Sequence, residues 1–220
     1  MLHALAASCL ALMPPVTSRA RLTIAIGDSQ ARPLTLGLFG EAAPRSVALF
    51  EGLCAGTLGD LTYTGSSVSR IERDQLILGG SLAGGSTRTV DREIDSTGFV
   101  RSTMVNRADA FTNSETNRLS HDRAGLLSMR RGGGAFEFTL TPAPNPALDA
   151  TRIVIGEALS EEDGGAGLAL IAALNELPTR QPSALSALGG VAGLYGLRLG
   201  LGFGFAGLVG QGLQLSRRGE

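Results

Sequence analysis

The feature that most constrains the fold is a set of short apolar runs with a two-residue period. Residues 22–26 and 34–38 alternate large apolar side chains with small or polar ones on either side of a polar loop, which is typical of a β-hairpin. Further strand-like runs lie at residues 76–78, 126–129, 136–140 and 153–155. Runs this short indicate strands bounded by turns, so we expect a mostly β domain.

Two helices are predicted to accompany these strands. Pro44 opens a run in which Val47, Phe50 and Leu53 share one helix face, and proline in the first turn is a helix-start signal. A second helix fits residues 166–177 and ends before Pro178. Many short strands with one early and one late helix predict a closed antiparallel β-barrel capped by two helices.

The last forty residues have a different composition. From Ala184 to Leu215 the only charged side chain is Arg198, and such a stretch is long enough to cross a bilayer as a C-terminal transmembrane helix. A flexible glycine-rich tail is the alternative, although such tails are usually rich in serine. Small residues that share one helix face let a neighbouring membrane helix approach closely. Five glycines have that spacing: Gly189, Gly193, Gly196, Gly200 and Gly204.

The N-terminal segment carries a short apolar run from Ala4 to Met13 that Pro14 ends. It is too short to span a bilayer and resembles the apolar region of a targeting signal. An uncleaved leader, or a short segment packed on a partner, remains open. The predicted organisation is therefore an apolar leader at 1–20, a globular domain at 21–180, and a membrane helix with a basic tail at 181–220.

Charge and chemistry-bearing residues exclude several classes of function. The 19 basic residues nearly balance the 20 acidic ones, so nothing attracts the chain strongly to nucleic acid. The two cysteines, Cys9 and Cys54, form no metal-binding or redox spacing. The two histidines, His3 and His121, are isolated, and a zinc site is not expected. We expect no cofactor and no metal.

The globular domain resembles the cyclophilins, the peptidyl-prolyl isomerases, over most of residues 21–180. The most specific segment is LSHDRAGLLSM at residues 119–129, and residues 115–125 look more like chloroplast cyclophilins than cytosolic ones. Residues 91–118 form a polar insertion where common cyclophilins are shorter, and we expect a surface loop there. Other matching segments follow in the family's order: residues 38–56, 65–71, 76–81, 136–149, 153–159 and 174–179.

The resemblance implies a proline-binding groove in which Arg70 occupies the position of the catalytic arginine. Arg70 could face the substrate amide, or it could be a rim arginine paired with a carboxylate. The other positions that the resemblance assigns to the groove are Gln75, Leu76, Phe136, Phe138, Leu148 and Arg152. Only Phe138 and Leu148 keep the family's residue type, and the core is the favoured place for Phe138. Most polar groups that would hold a substrate are replaced, so low or absent isomerase activity is expected.

Three functions remain open from the sequence. The preferred one is a membrane-anchored accessory subunit that stabilises an organellar membrane complex, with protein subunits as partners. A thylakoid photosystem with the barrel in the lumen is the preferred instance, and a mitochondrial membrane complex is the next choice. The alternatives are an active, membrane-tethered isomerase that assists folding, and a module that binds a proline-containing segment without isomerising it.

Overall fold

The computed structural model describes residues 13–82, 87–160 and 164–178, and the backbone of residues 199–201. In these ranges the chain forms strands, two α-helices and two short 3-10 helices (Arg107–Ala110 and Pro146–Ala150). The helices are α1 (Pro44–Ala55) and α2 (Ala166–Asn175). The strands are β1 (Ser18–Ile24), β2 (Arg32–Leu38), β3 (Arg70–Glu72), β4 (Leu76–Gly79), β5 (Arg88–Ile94), β6 (Val100–Asn106), β7 (Leu126–Arg130), β8 (Phe138–Leu140), β9 (Arg152–Ala158) and β10 (Leu199–Leu201).

The main sheet is antiparallel and curls around the core. Its strand order is β10-β1-β2-β9-β7-β8-β4-β3. The predicted mostly β fold with two helices is confirmed, but the closed barrel is not, because no pairing joins β3 to β10 within the described residues. Strand β3 is only three residues long and contacts α2. A helix therefore lies where further strand pairing would be needed, and the sheet is a half-barrel.

Three aromatic rings form the centre of the core. Phe50 of α1, Tyr63 and Phe138 of β8 pack with ring centroids 5.3 to 5.6 Å apart. Such tilted and edge-to-face contacts add to the stabilisation from burial alone. A Cβ atom on Gly79 would lie 2.7 Å from the Phe138 ring, and one on Gly80 would lie 2.5 Å from the Tyr63 ring. Only glycine therefore allows β4 to approach these rings so closely.

Helix α1 begins at Pro44, as predicted, but the residue before it supplies no side-chain cap. Glu115, 70 residues further along the chain, provides the cap instead. Its Oε1 accepts hydrogen bonds from the backbone N–H groups of Arg45 and Ser46 at 2.7 and 2.8 Å, and its Oε2 accepts one from the Ser46 hydroxyl at 3.1 Å. A carboxylate at a helix N-terminus also interacts favourably with the helix dipole. Glu115 therefore fastens the loop before β7 to α1.

The predicted surface loop at residues 91–118 is wrong for its first half. Strands β5 and β6 pair over seven residues each and form a separate two-stranded sheet. The turn between them is specified locally, because the Asp95 carboxylate accepts hydrogen bonds from the backbone of Thr97 and Phe99. Gly98 has a φ of +82°, a conformation that favours glycine. An Asp-Ser-Thr-Gly turn between β-branched runs is a hairpin signal in its own right.

The predicted C-terminal helix falls mainly outside the described residues, as do Gly189, Gly193, Gly196 and Gly204. Leu199–Leu201 are described, and they form β10, which pairs with β1 instead of continuing a helix. Gly200 therefore lies on a strand, because its neighbours pair with a sheet edge. Among the described residues, no helix has the length and apolar character needed to cross a bilayer.

His121 is fully buried and held by one carboxylate. Its backbone N–H donates to Asp149 Oδ1 at 2.9 Å, and its Nδ1 lies 2.6 Å from the same oxygen. Burial lowers the pKa of His121, although Asp149 opposes the shift. The folded state therefore binds fewer protons at this site than the unfolded state, whose histidine has a pKa of about 6.5. His121 anchors the segment before β7 to the 3-10 helix Pro146–Ala150, and its protonation opposes folding.

Removing the Glu115 cap should destabilise the domain. We expect Glu115→Ala to lower the free energy of unfolding by about 1–2 kcal/mol, since two helix N–H groups and a hydroxyl lose their acceptor. Glu115→Gln should cost less, because its amide oxygen still accepts. Glu93→Ala, on the exposed strand β5, is the control. Urea unfolding gives the three values, and an equal loss for Glu115→Ala and Glu93→Ala would contradict the capping role.

The free energy of unfolding should fall as the pH decreases from about 7.5 to 5.5, because His121 binds a proton more readily in the unfolded chain than in the folded one. His121→Gln should flatten this pH dependence over the same window. His3→Gln is the matched control, since His3 and His121 are the only histidines. Unfolding free energies measured by urea titration at each pH test this, and an unchanged slope in His121→Gln would refute it.

Candidate functional site

The candidate site is one face of the sheet at strands β3, β4, β8 and β7. Residues paired directly across an antiparallel ladder point to the same side. Arg70 pairs with Leu78, Leu78 with Thr139, and Thr139 with Ser128. These four side chains form one row, and we call the surface that they share the groove face. This face carries Arg70, which the sequence assigns to the substrate groove.

Arg70 lies at the outer end of the row. Its side chain is 64% exposed, and its guanidinium forms an ion pair with Glu72. The two residues are two positions apart on β3, so they share the groove face. Arg70 is therefore a rim arginine paired with a carboxylate. This is one of the two interpretations that the sequence left open.

The neighbours of Arg70 along the row provide no exposed hydrogen-bond acceptor for its guanidinium. Leu78 is aliphatic and half-buried. Thr139 and Ser128 are fully buried, and among the described residues their hydroxyl oxygens have no hydrogen-bond partner. Unpartnered buried hydroxyls are unusual in native proteins. The row thus changes from an exposed cation, paired with Glu72, to an aliphatic side chain and then to two buried hydroxyls.

Phe136 and Phe138 lie in the core, which is the place that the sequence favours for Phe138 and which corrects the assignment of Phe136 to the groove. Phe138 pairs with Gly79 and Met129, and its ring is 1% exposed. Phe136 is 4% exposed, and its carbonyl accepts the hydroxyl of Tyr63. Successive side chains alternate across a strand, so a shift of one residue exchanges the two faces. Thr139 rather than Phe138 therefore occupies the groove face of β8.

Gln75 and Leu76 lie where β3 turns into β4. The side chain of Gln75 is exposed, and its backbone carbonyl accepts a hydrogen bond from Asn145 Nδ2 at 3.2 Å. Leu76 is half-buried and pairs with Glu72, so it lies on the groove face. Asn175 of α2 holds the turn through both the N–H and the carboxylate of Asp74. These residues border Arg70 on one side.

Leu148 and Arg152 lie at the opposite end of the site. Leu148 is buried in a 3-10 helix, and Arg152 begins β9 opposite Arg130. Burial lowers the pKa of Arg152, while the charge of Glu137 opposes the shift. Three strands, β7, β8 and β4, lie between Arg152 on β9 and Arg70 on β3. Leu148 and Arg152 therefore do not share the row of Arg70.

Arg131 has a structural role that the sequence did not indicate. Its Nη2 donates to the backbone carbonyls of Arg152 at 3.0 Å and Asp149 at 3.2 Å. No local pattern in the sequence shows where this guanidinium binds, because its acceptors lie 18 and 21 residues further along the chain. Because the charge is turned toward backbone carbonyls, it stabilises the loop after β7 instead of serving a ligand.

A cavity of about 330 Å³ lies beside the end of β7. Cavities of this size hold small ligands or single side chains. Its wall is mainly apolar, with two arginines among the lining residues. Residues that line it include Arg45, Leu49, Leu58, Phe111, Met129 and Arg130. The cavity lies between α1 and the loop after β7, so an extended ligand that passes the end of β7 could place one side chain there.

The site offers binding more readily than covalent chemistry. Burial, assisted by the charge of Glu51, raises the pKa of the Cys54 thiol to about 12, so this buried cysteine is not a nucleophile. Within the described residues, no group of three or more His, Cys, Asp or Glu side chains could hold a metal ion. The exposed groups of the groove face are one guanidinium and its carboxylate partner.

Comparison with known proteins agrees with this geometry. The family model of the cyclophilin-type peptidyl-prolyl cis-trans isomerases matches residues 21–186. A chloroplastic peptidyl-prolyl cis-trans isomerase of Arabidopsis thaliana, CYP28, is 28% identical over 165 residues, covering 68% of this chain and 54% of the relative. The chain thus spans about half the length of this curated relative. The predicted family is confirmed, and the chain belongs to the cyclophilins.

Proposed function

We propose that this cyclophilin is an accessory subunit of a chloroplast membrane complex and has little or no isomerase activity. Membership of the family supports a function of the peptidyl-prolyl isomerase type. One observation carries the loss of activity: Arg70 is paired with Glu72, and its cross-strand neighbour is Leu78 instead of a polar side chain. The proposal therefore rests on the surroundings of the retained arginine.

The energetics of prolyl isomerisation explain why these surroundings decide the activity. Rotation about a peptide bond has a barrier of about 18–20 kcal/mol that comes from amide resonance. An isomerase must stabilise the twisted amide more than the planar one. A guanidinium near the prolyl nitrogen can do so only when it is held in place, and a misplacement of about 1 Å can cost a hundredfold in rate.

The ion pair alone would not abolish catalysis. An exposed pair such as Arg70–Glu72 contributes only about 0–1 kcal/mol, so a substrate could displace the carboxylate at small cost. The larger loss of activity comes from the lack of a group that holds the Arg70 guanidinium in place, since its cross-strand neighbour Leu78 cannot accept a hydrogen bond. The rings of Phe136 and Phe138 also lie in the core, so neither can hold a proline ring.

The membrane part of the proposal rests on composition and on the relative. The stretch from Ala184 to Leu215 contains Arg198 as its only charged residue, and a chloroplastic protein is among the relatives. Strand β10 interrupts the segment at residues 199–201, so the proposal requires an apolar segment that associates with membrane subunits rather than one continuous helix. A thylakoid complex with the domain in the lumen is the preferred location, and a mitochondrial membrane complex is the next choice.

An active, tethered isomerase is the second candidate function. The exposure of Arg70 favours it, because 64% of the side chain remains accessible to a substrate. In that case the carboxylate of Glu72 would be displaced on binding. A rate measurement separates the two candidates.

The full-length chain should isomerise a Xaa-Pro peptide at a rate within about twofold of the uncatalysed rate, since the guanidinium is not positioned. Arg70→Ala should leave that rate unchanged. The control is Arg73→Ala, which removes a similarly exposed arginine paired with Glu176. Acceleration by the wild-type chain and by Arg73→Ala, but not by Arg70→Ala, would establish the active isomerase instead.

The chain should co-sediment with a large complex when native membranes are solubilised in mild detergent. Introducing Leu208→Arg and Val209→Arg should release it, because each buried arginine costs about 2.5–3.5 kcal/mol at the centre of a membrane segment. Leu208→Ile and Val209→Ile are the matched controls and should remain bound. A wild-type chain that sediments as a free monomer would argue against the accessory role, whatever the outcome of the isomerase assay.

A further inference from the structure

The hairpin of β5 and β6 is exposed along its whole length. Every residue of β5 is exposed, and in β6 only Val105 is partly covered. Within the part of the chain that the structure describes, the two strands pair with each other and with no further strand. Isolated two-stranded hairpins are at best marginally stable in water. An exposed hairpin of seven-residue strands is therefore expected to gain stability from a partner that covers it.

One face of this hairpin is apolar. Val90 pairs with Met104, and Ile94 pairs with Val100, so the four side chains point to the same side. Their exposed fractions are 52%, 67%, 69% and 50%. The Arg92–Ser102 pair lies between the two apolar pairs. Exposed apolar surface rimmed by polar residues commonly marks an interaction site. The face therefore has the character of a docking surface.

The charges on the two faces of the hairpin differ in sign. Arg88 and Arg92 lie on the apolar face, where Arg92 separates Val90 from Ile94 and pairs with Ser102. The carboxylates of Asp91 and Glu93 point to the opposite face, because they alternate with these residues along β5. The apolar face thus carries two cations and no carboxylate.

This pattern selects among the possible occupants. A second copy of the chain would place Arg92 against the same positive face, with no carboxylate to compensate for the repulsion. Binding to a bilayer is disfavoured for two reasons. The hairpin tip is a polar turn that contains the charged Asp95. Inserting Val90 and Ile94 into the bilayer would also bury Arg92, which lies between them. A protein segment whose acidic and apolar side chains alternate at every second residue, so that both point to one side of an extended chain, matches the cationic and the aliphatic positions.

We propose that the apolar face of the β5–β6 hairpin binds an extended, acidic and apolar segment of a partner protein. The aliphatic side chains of the segment would cover Val90, Ile94, Val100 and Met104. Its carboxylates would lie opposite Arg88 and Arg92, which are four residues apart on β5, so the carboxylates must also be four residues apart in the segment. The inference stands apart from the proposed function, since no residue of the groove face takes part.

The test uses the full-length chain and a synthetic seven-residue peptide, Glu-Ser-Val-Ser-Glu-Ser-Val, whose glutamates and valines all point to one side of an extended chain. Isothermal titration should detect binding, and amide NMR shifts should change in residues 88–106. Arg92→Glu and Val90→Ser should each weaken binding about tenfold. Matched substitutions on the opposite face, Glu93→Gln and Thr89→Ser, should leave it unchanged. Urea unfolding of each variant confirms that the rest of the domain is intact.

Three further arms decide between the occupants. The same peptide with lysine in place of glutamate should not bind, and equal binding would overturn the charge argument. Vesicles of phosphatidylglycerol that bind the hairpin while the acidic peptide does not would assign the face to a membrane. Dimerisation that Val90→Ser abolishes would assign it to a second copy. Absence of binding at peptide concentrations on the order of 1 mM would overturn the proposal.

Discussion

The Phe138 ring packs against Gly79 and Gly80, and this contact determines which side chains of β4 and β8 point into the core. A Cβ atom on Gly79 or Gly80 would lie less than 3.0 Å from an aromatic ring, so only glycine leaves the required space. The ring of Phe138 fills that space and packs between Phe50 of α1 and Tyr63. Helix α1, strand β4 and strand β8 are thereby joined at one cluster, and the direction of every other side chain on β8 follows from it.

The groove face is the surface of β4 and β8 opposite to the one that carries Phe138. Because Phe138 points inward, Thr139 lies beside Leu78 and Ser128 on the surface that leads to Arg70. The two faces of a strand can change independently, since one is constrained by core packing and the other only by its ligand. The domain therefore keeps the packing of its family while the retained arginine has an aliphatic neighbour and a carboxylate partner. That combination supports a binding or structural role more than catalysis.

Local signals in the sequence predict much of the fold, whereas contacts between distant segments could not be foreseen. Pro44 marks the start of α1, and the family resemblance identifies the domain and the strand that carries Arg70. The turn from Asp95 to Gly98 also predicts a hairpin, whereas the polar composition of residues 91–118 favours a loop, and the structure follows the turn. In contrast, the Glu115 cap joins residues 69 and 70 positions apart. The sequence favours a core position for Phe138, but it does not indicate that Leu78 and Thr139 are cross-strand neighbours, because that pairing joins segments that are distant in the chain.

Nuclear Overhauser effects from the ring protons of Phe138 test this description most directly. In the arrangement described, the ring centroid lies 5.3 Å from that of Tyr63 and 5.6 Å from that of Phe50, so strong cross-peaks to both rings are expected. The side chain of Thr139 should instead show cross-peaks to Leu78. Cross-peaks from the Phe138 ring to the side chains of Arg70 and Leu78 would contradict this description, because they would place the aromatic ring in the groove beside the arginine.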